Sequence, residues 1–104
     1  MNIYYTKKGR FVVKKNHVIP IKKLHREDGP AIITYNCCLH WFKNGKLHRE
    51  DGPATIYCNG EREFWLNYQM LNCNKIEAWI KNNNIDLSTK KGKVLFIMNF
   101  IIYD

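Results

Sequence analysis

The apolar residues in the first two thirds of the chain occur in short runs separated by turn sequences. Four runs are rich in β-branched and aromatic side chains and too short for helices: residues 31–35 (AIITY), 39–43 (LHWFK), 54–58 (ATIYC) and 63–66 (EFWL). Asn-Gly pairs at 44–45 and 59–60 tolerate the positive φ angles of tight hairpins. The pattern predicts β-hairpins that follow one another along the chain.

The segment 1–22 shows a weaker form of the same arrangement. NIYYT (2–6) predicts an opening strand, and RFVVK (10–14) and HVIPI (17–21) predict a strand pair around a short polar turn. Pro20 cannot donate a ladder hydrogen bond, so its strand is expected at an edge or bent.

The apolar period changes after Met70. Ile76, Trp79 and Ile80 are spaced as on one face of a helix that starts near Asn74 and ends in the NNN run at 82–84. A second helix is expected after a Ser88 cap, with an apolar stripe of Val94, Leu95, Met98, Ile101 and Ile102.

Together these patterns predict one α+β domain over residues 1–104. Residues 1–70 are expected to form an antiparallel β-meander of tandem hairpins with about six or seven short strands. Residues 71–104 are expected to form a cap of two C-terminal helices, because a repeat sheet cannot bury its own end.

The hairpins also repeat at the level of sequence. KLHREDGPA at 23–31 occurs again, letter for letter, at 46–54, and the same shift aligns Trp41 with Phe64. A fixed period of this length is typical of repeat architectures. A catalytic group works at one place, where its surroundings tune its pKa, so the doubled string is expected to be structural. Catalysis by His25 or His48, and a periodic ligand contact, are the alternatives.

Ten residues of the doubled string are expected to have structural roles. Gly29 and Gly52 permit positive φ, but the prolines that follow them restrict both toward extended geometry. Arg26 and Arg49 are expected to pair with a carboxylate of the neighbouring copy. The full set is His25, Arg26, Asp28, Gly29, Pro30, His48, Arg49, Asp51, Gly52 and Pro53.

The string WFKNGKLHREDGPA (41–54) resembles the MORN-like variant repeats of phage, bacterial and giant-virus proteins, in which Asn-Gly-Lys is followed by His-Arg-x-Asp-Gly-Pro-Ala. The resemblance covers residues 23–70 and extends only weakly to the segment 1–22. It implies successive β-hairpins and roles in contact with proteins or lipids. The ordinary MORN pattern lacks the His-Arg-x-Asp-Gly-Pro string, so lipid binding is not carried over.

The positive charge is concentrated at the N-terminus. The net charge is +8, and residues 1–23 contribute seven basic side chains and no acid. Such asymmetry indicates an anionic partner, either an acidic protein surface or nucleic acid. The expected contact residues are Lys7, Lys8, Arg10, Lys14, Lys15, Lys22 and Lys23, with the aromatic side chains of Tyr4, Tyr5, Phe42 and Trp65.

The four cysteines are Cys37, Cys38, Cys58 and Cys73, and two of them are adjacent. No signal peptide is recognisable, so reduced thiols and a cytoplasmic location are expected. No apolar run reaches the roughly 18–20 residues of a bilayer span, so no membrane partner is expected. Cys37, Cys38, His40 and Cys58 lie in or near successive predicted hairpin turns and could form a zinc site, but no C-x₂-C pair is present, so no metal is expected.

Asn, Ile and Lys make up 37 residues, a bias typical of AT-rich genomes, so a low-GC bacterium, a phage or a large DNA virus is the expected source. No nucleotide-binding loop or serine-nucleophile motif is present, so neither enzymatic activity nor a cofactor is expected. The expected function is non-catalytic binding and inhibition of a host protein through the basic N-terminal hairpin and an exposed aromatic face. Direct nucleic-acid binding is the second interpretation, and an open sheet edge leaves a dimer as an alternative.

Overall fold

A computed structural model of the chain describes residues 2–13 and 19–100. Within them lie nine short β-strands, two α-helices and one turn of 3₁₀ helix at Ile21–Lys23. The strands are β1 (Asn2–Thr6), β2 (Gly9–Val13), β3 (Ile32–Ile33), β4 (Leu39–His40), β5 (Phe42–Lys43), β6 (Lys46–Leu47), β7 (Thr55–Ile56), β8 (Arg62–Leu66) and β9 (Gln69–Leu71). The helices are α1 (Cys73–Asn82) and α2 (Lys90–Phe100).

Seven strands form one antiparallel sheet in the order β2-β1-β3-β4-β7-β8-β9, and β5 pairs with β6 in a separate hairpin. The predicted α+β meander with two C-terminal helices is confirmed. The strand count is higher than predicted because β6 and β9 lie outside the predicted runs and because the run 39–43 divides at Trp41. Its N–H donates to the Ala54 carbonyl and its carbonyl accepts from the His48 N–H, which takes the chain out of the main sheet.

The sequence repeat governs the backbone hydrogen bonds. The Ala31 N–H donates to the His40 carbonyl, and at the equivalent position of the second copy the Ala54 N–H donates to the Glu63 carbonyl, both at 2.8 Å. Two further pairs of bonds obey the same shift: Arg26 to Phe42 with Arg49 to Trp65, and Gly45 to Leu24 with Tyr68 to Leu47. Each copy of the string is therefore joined to the chain around it in the same way.

The hairpin turns use left-handed residues at equivalent positions. Cys37 (φ 67°) closes the turn after β3, and Gly60 (φ 89°) closes the turn after β7. Asn44 and Gly45 both have positive φ, as predicted for a tight turn between β5 and β6. Asn59 does not, although the second Asn-Gly pair also closes a hairpin as predicted, between β7 and β8. A wider loop, in which the Tyr57 N–H donates to the Glu61 carbonyl, leaves only Gly60 with positive φ.

Two apolar clusters support the sheet. At the C-terminal end, β8 and both helices bury Phe64, Leu66, Ile76, Leu87 and Phe96. At the other end, Leu24, Ala31 and Phe42 are buried, with Tyr4, Tyr5, Ile19, Ile32 and Leu47 packed against them. The predicted face of α1 is confirmed, because Ile76 is buried and Trp79 and Ile80 pack beside it.

The predicted stripe of α2 is wrong. Phe96 is its buried side chain, whereas Val94 and Met98 are 44% and 74% exposed, and Ile101 and Ile102 lie outside the described residues. The cap is Thr89, not Ser88, since its Oγ1 accepts from the Gly92 N–H at 3.0 Å. A Cβ on Gly92 would overlap the Asp86 carbonyl oxygen, so this glycine is what allows the helix to lie close to the preceding turn.

The N-terminal prediction is partly confirmed. β1 has the bounds predicted for NIYYT, and β2 covers the RFVV part of RFVVK. Ile19 and Pro20 are not in a strand and Ile21 begins the 3₁₀ turn, so the predicted strand HVIPI is wrong there. The rest of that segment, together with Lys14 and Lys15, lies outside the described residues.

Candidate functional site

The histidine of the repeated string is held by two hydrogen bonds. The Asn44 N–H donates to Nδ1 of His25 at 2.9 Å, so Nε2 carries the ring proton and donates to Glu27 at 2.9 Å. The second copy repeats both bonds with Asn67, His48 and Glu50, at 2.9 and 3.3 Å. Both ring nitrogens are thus engaged within the fold, which favours a structural role over general-base catalysis.

The arginine of the string is held by its own copy. Arg26 Nε donates to Asp28 at 3.0 Å, its Nη1 donates to the Pro30 carbonyl at 3.1 Å, and its guanidinium lies 3.9 Å from the centre of the Tyr5 ring. The hydrogen bond from Arg26 lowers the pKa of the Asp28 carboxyl, and the attraction of the two charges adds to that effect.

The second copy reproduces this arrangement with Arg49, Asp51, Pro53 and Trp41. The distances are 2.6 Å to the carboxylate, 3.0 Å to the carbonyl and 3.9 Å to the ring centre. The predicted pairing of each arginine with the neighbouring copy's carboxylate is therefore wrong. The aspartate that follows in the same copy lies within reach of Nε, whereas the guanidinium faces an aromatic ring of the preceding strand segment.

Gly29 and Gly52 do not use the positive φ that glycine permits, so conformational freedom is not what requires glycine there. A Cβ at either position would lie 2.9 Å from Cζ of Arg26 or Arg49, closer than van der Waals contact allows. Glycine stands here because the guanidinium packs on the bare backbone.

The two copies line a common groove of about 550 Å³, in which Arg26, Asp28, Arg49 and Asp51 face each other beside Lys93. Each of the two arginines is already paired with the aspartate of its own copy. Within residues 2–13 and 19–100, no three His, Cys, Asp or Glu side chains are placed to hold a metal ion. The groove is the seam between adjacent repeats, with an arginine–aspartate pair along each side.

A second groove, which we call the basic groove, lies between the β1–β2 turn and the 3₁₀ turn. It has a volume of about 720 Å³ and brings together four predicted contact residues: Lys7, Lys8, Lys22 and Lys23. Phe11, Ile19 and Pro20 supply apolar lining, and Thr6, His25 and Asn44 complete the described wall. None of these lining residues is acidic, so the groove combines positive potential with apolar surface.

The basic groove is formed by an insertion into the repeat. Two contacts show that Tyr5 and Trp41 occupy equivalent places in the repeat. The backbone of Leu24 pairs with that of Thr6, as the backbone of Leu47 pairs with that of Phe42. The ring of Tyr5 lies against the Arg26 guanidinium, as the ring of Trp41 lies against that of Arg49. The intervening segments differ in length: residues 6–23 separate Tyr5 from Leu24, whereas only residues 42–46 separate Trp41 from Leu47. β2, the 3₁₀ turn and all seven N-terminal basic side chains belong to the longer segment.

The other predicted contact residues are placed less uniformly. Arg10 is exposed on β2 but is not among the groove's lining residues. Tyr4 and Tyr5 are half-buried against the core, and Phe42 is only 6% exposed, so its prediction as part of an exposed aromatic face is wrong. Phe42 is turned inward because the β5–β6 hairpin folds onto Leu24 and Ala31.

Trp65 is half-buried, with its Nε1 donating to Glu63 at 3.0 Å and its ring 5.8 Å from that of Tyr68. The sequence does not predict the apolar groove residues Ile19 and Pro20 as contacts. Their only sequence signal is their position among the lysines.

The cysteines depart from the expected reduced state. Cys38 and Cys58 form a disulfide, with Cα atoms 5.0 Å apart, because successive hairpin turns lie side by side. Cys37 and Cys73 are free, and burial raises the pKa of the Cys73 thiol.

The described contacts of His40 are with Thr55 and Tyr57, and no metal-binding cluster among the described residues includes it. Its Nδ1 lies 3.4 Å from Oγ1 of the buried Thr55, and its ring meets Tyr57 edge to face. Burial lowers the pKa of His40, and the nearby Glu63 carboxylate opposes this shift.

None of the helices within residues 2–13 and 19–100 is long and apolar enough to cross a bilayer. Comparison of the chain with protein-family models, with curated proteins and with solved structures gives no match. The relation to MORN-like repeats therefore stays a prediction.

Proposed function

We propose that the protein is a non-catalytic binding protein that engages an acidic surface of another protein through the basic groove. The observation that carries this proposal is the insertion. The repeat closes between Trp41 and Leu47 through the short segment 42–46, so the segment 6–23 between Tyr5 and Leu24 is longer than the scaffold requires. Its seven basic side chains make up nearly the whole charge excess, which points to selection for a partner.

The charge distribution supports an anionic partner. Like charges placed close together destabilise a folded state, and Lys7, Lys8, Lys22 and Lys23 line one groove whose described lining includes no acidic residue. Such a cluster raises the rate of encounter with an acidic surface and selects against basic ones.

The aromatic side chains offer limited surface for base stacking. Stacking needs open ring faces, but Arg26 covers Tyr5 and Phe42 is buried. Phe11, at 42% exposure, is the aromatic side chain of the groove, and it lies beside apolar Ile19 and Pro20. One exposed ring set among apolar residues suits the apolar side chains of a protein partner, and nucleic acid is the second candidate.

The groups that catalysis would require are engaged in the fold. His25 and His48 use both ring nitrogens, and Arg26 and Arg49 are held by carboxylates and carbonyls of their own copies. This supports a non-catalytic role for the doubled string.

We also propose a source and a cellular location for the protein. The residue bias supports a phage or viral source, and the partner is then a host protein, of nucleic-acid-handling or defence type, that the chain inhibits in the host cytoplasm. The Cys38–Cys58 disulfide bears on this location, because a reducing compartment would keep both sulfurs as thiols. Thiol counting in protein recovered from such cells under acid quench tests that point.

The binding proposal is tested by charge reversal at matched positions. One variant changes Lys7, Lys8, Lys22 and Lys23 to Glu, and its control changes the exposed helix residues Lys75, Lys81, Lys90 and Lys91 to Glu, with the same change in net charge. Fluorescence anisotropy with an acidic peptide, single-stranded DNA and RNA, across salt, measures the affinity. We expect the first variant alone to lose peptide binding by about tenfold or more.

Equal loss in both variants would show that net charge, and not the groove, attracts the peptide. Tighter binding of the nucleic acids than of the peptide, with a steep salt dependence, would replace the protein partner by nucleic acid.

A further inference from the structure

The outer edge of β2 is open within the described residues, because β2 pairs with β1 alone. The directions of its backbone groups follow from Tyr5. The Tyr5 N–H donates to the Ala31 carbonyl and its carbonyl accepts from the His25 N–H, so both backbone groups of Tyr5 point away from β2. Arg10 lies opposite Tyr5 in the β1–β2 register, so its own N–H and carbonyl point away from β1.

Val12 shares this direction because backbone groups at alternate positions of a strand point the same way. Arg10 and Val12 thus present two N–H donors and two carbonyl acceptors to the open edge. Val12 is 56% exposed, and Arg10 is exposed as well. Such an edge pairs readily with an extended segment unless something blocks it.

The basic groove adjoins this edge. Phe11 lies between Arg10 and Val12 and lines the groove, so its side chain is on the groove's side of the sheet and theirs are on the other. A strand added next to β2 would place every second side chain toward the groove, where Lys7 and Lys8 lie.

We infer that an extended acidic segment of a partner protein adds to β2 as a further strand of the sheet, with acidic side chains at alternate positions facing the basic groove. This inference rests on the proposed function and specifies how the partner is held. Main-chain hydrogen bonds supply affinity in this mode, and the alternating side chains supply specificity.

Charge complementarity selects this occupant over a second copy of the chain. Pairing of two β2 strands would bring together two segments in which residues 1–23 carry seven basic side chains and no acid. An acidic strand would instead neutralise them.

The test uses three peptides of the same composition: one that alternates Glu and Val, one in which alternate amides are N-methylated, and one in which the Glu and Val residues are segregated into two blocks. N-methylation removes the donors along one side of a strand and leaves the charge unchanged. We expect the alternating peptide to bind about tenfold more tightly than the other two, and to protect the Arg10 and Val12 amides from hydrogen exchange.

A protein variant provides the complementary measurement. Val12→Pro removes an outward N–H without removing a β1–β2 hydrogen bond, and its folding is checked by its thermal unfolding midpoint. The same loss of affinity is expected for this variant with the unmodified alternating peptide.

Equal binding of all three peptides would overturn strand addition and leave the proposed function intact, because charge alone would then suffice. Binding of none of them would overturn both. A dimer in sedimentation without peptide that Val12→Pro converts to monomer would assign the edge to a second copy and overturn the inference.

Discussion

The contact between the arginine and the glycine of the repeated string makes a specific prediction about Gly52→Ala. The new Cβ would lie 2.9 Å from Cζ of Arg49, whereas ordinary contacts begin near 3.4 Å, so the guanidinium must move by about half an ångström. It cannot do so freely, because it is bonded to Asp51 at 2.6 Å and to the Pro53 carbonyl at 3.0 Å.

The size of the destabilisation follows from the contacts of Arg49 that this movement weakens. The bond from Arg49 to the Pro53 carbonyl is partly buried, and loss of such a charge-assisted bond costs about 1.5–3 kcal/mol. Asp51 is 46% exposed, so weakening its bond to Arg49 adds at most about 1 kcal/mol. The stacking of Arg49 on Trp41 adds about 0.5–1 kcal/mol. Since the movement weakens these contacts without abolishing them all, we expect Gly52→Ala to lower the free energy of unfolding by about 2 kcal/mol.

A double-mutant cycle separates this cause from backbone strain. In an Arg49→Ala background the obstacle is gone and Gly52 does not have positive φ, so Gly52→Ala should be neutral or stabilising by up to about 1 kcal/mol. Urea unfolding followed by tryptophan fluorescence, with m values compared, measures all four proteins. Gly29→Ala should show the same coupling to Arg26, whose Cζ is also 2.9 Å away.

An equal cost of Gly52→Ala with and without Arg49 would refute the contact as the reason for glycine. A neutral Gly52→Ala in the otherwise natural chain would refute it as well, because it would show that Arg49 moves aside freely.

Three further predictions concern the hairpin turns and the sheet. Cys37→Gly should raise the free energy of unfolding by about 1 kcal/mol, because Cys37 holds the left-handed conformation that Gly60 holds in the next hairpin; unchanged urea midpoints would contradict this. Replacing Cys38 and Cys58 together by Ser should lower it by about 3 kcal/mol, given their separation of 20 residues, and a reducing agent should bring the natural chain to the same value. Burial lowers the pKa of His40 below 6.5, so the unfolded chain binds more protons there. The contribution of neutral His40 to the free energy of unfolding is complete above pH 6.5 and is lost as the pH decreases below it. His40→Gln should therefore make the free energy of unfolding depend less steeply on pH in that range.

The sequence predicts the alternation of strands and turns because each short apolar run is bounded by Gly, Asn or Pro. It does not predict the buried face of α2. Residues 94–98 are continuously apolar, so spacing alone cannot choose a face. The choice is made by Gly92, which lets the helix approach Asp86 and turns Phe96 inward.

The candidate site is predictable in its charge but not in its construction. The excess of lysine over residues 1–23 is evident from composition. The equivalence of Tyr5 and Trp41 is not, because their neighbours in sequence differ and only the folded structure reveals it, through the stacked arginines and the matching backbone pairs. The prediction for Phe42 is wrong because alternation within a strand does not extend across Trp41, where the chain leaves the main sheet.

The constant shift that relates the backbone hydrogen bonds of the two copies has a consequence for how such a chain can change over generations. An in-frame genetic duplication of residues 31–53 would supply the same donors and acceptors again, so it would lengthen the sheet by one whole unit. The lysine-bearing segment and the helical end would be retained unchanged but would lie further apart. Recombination alone can therefore change the distance between them, by one repeat length at a time.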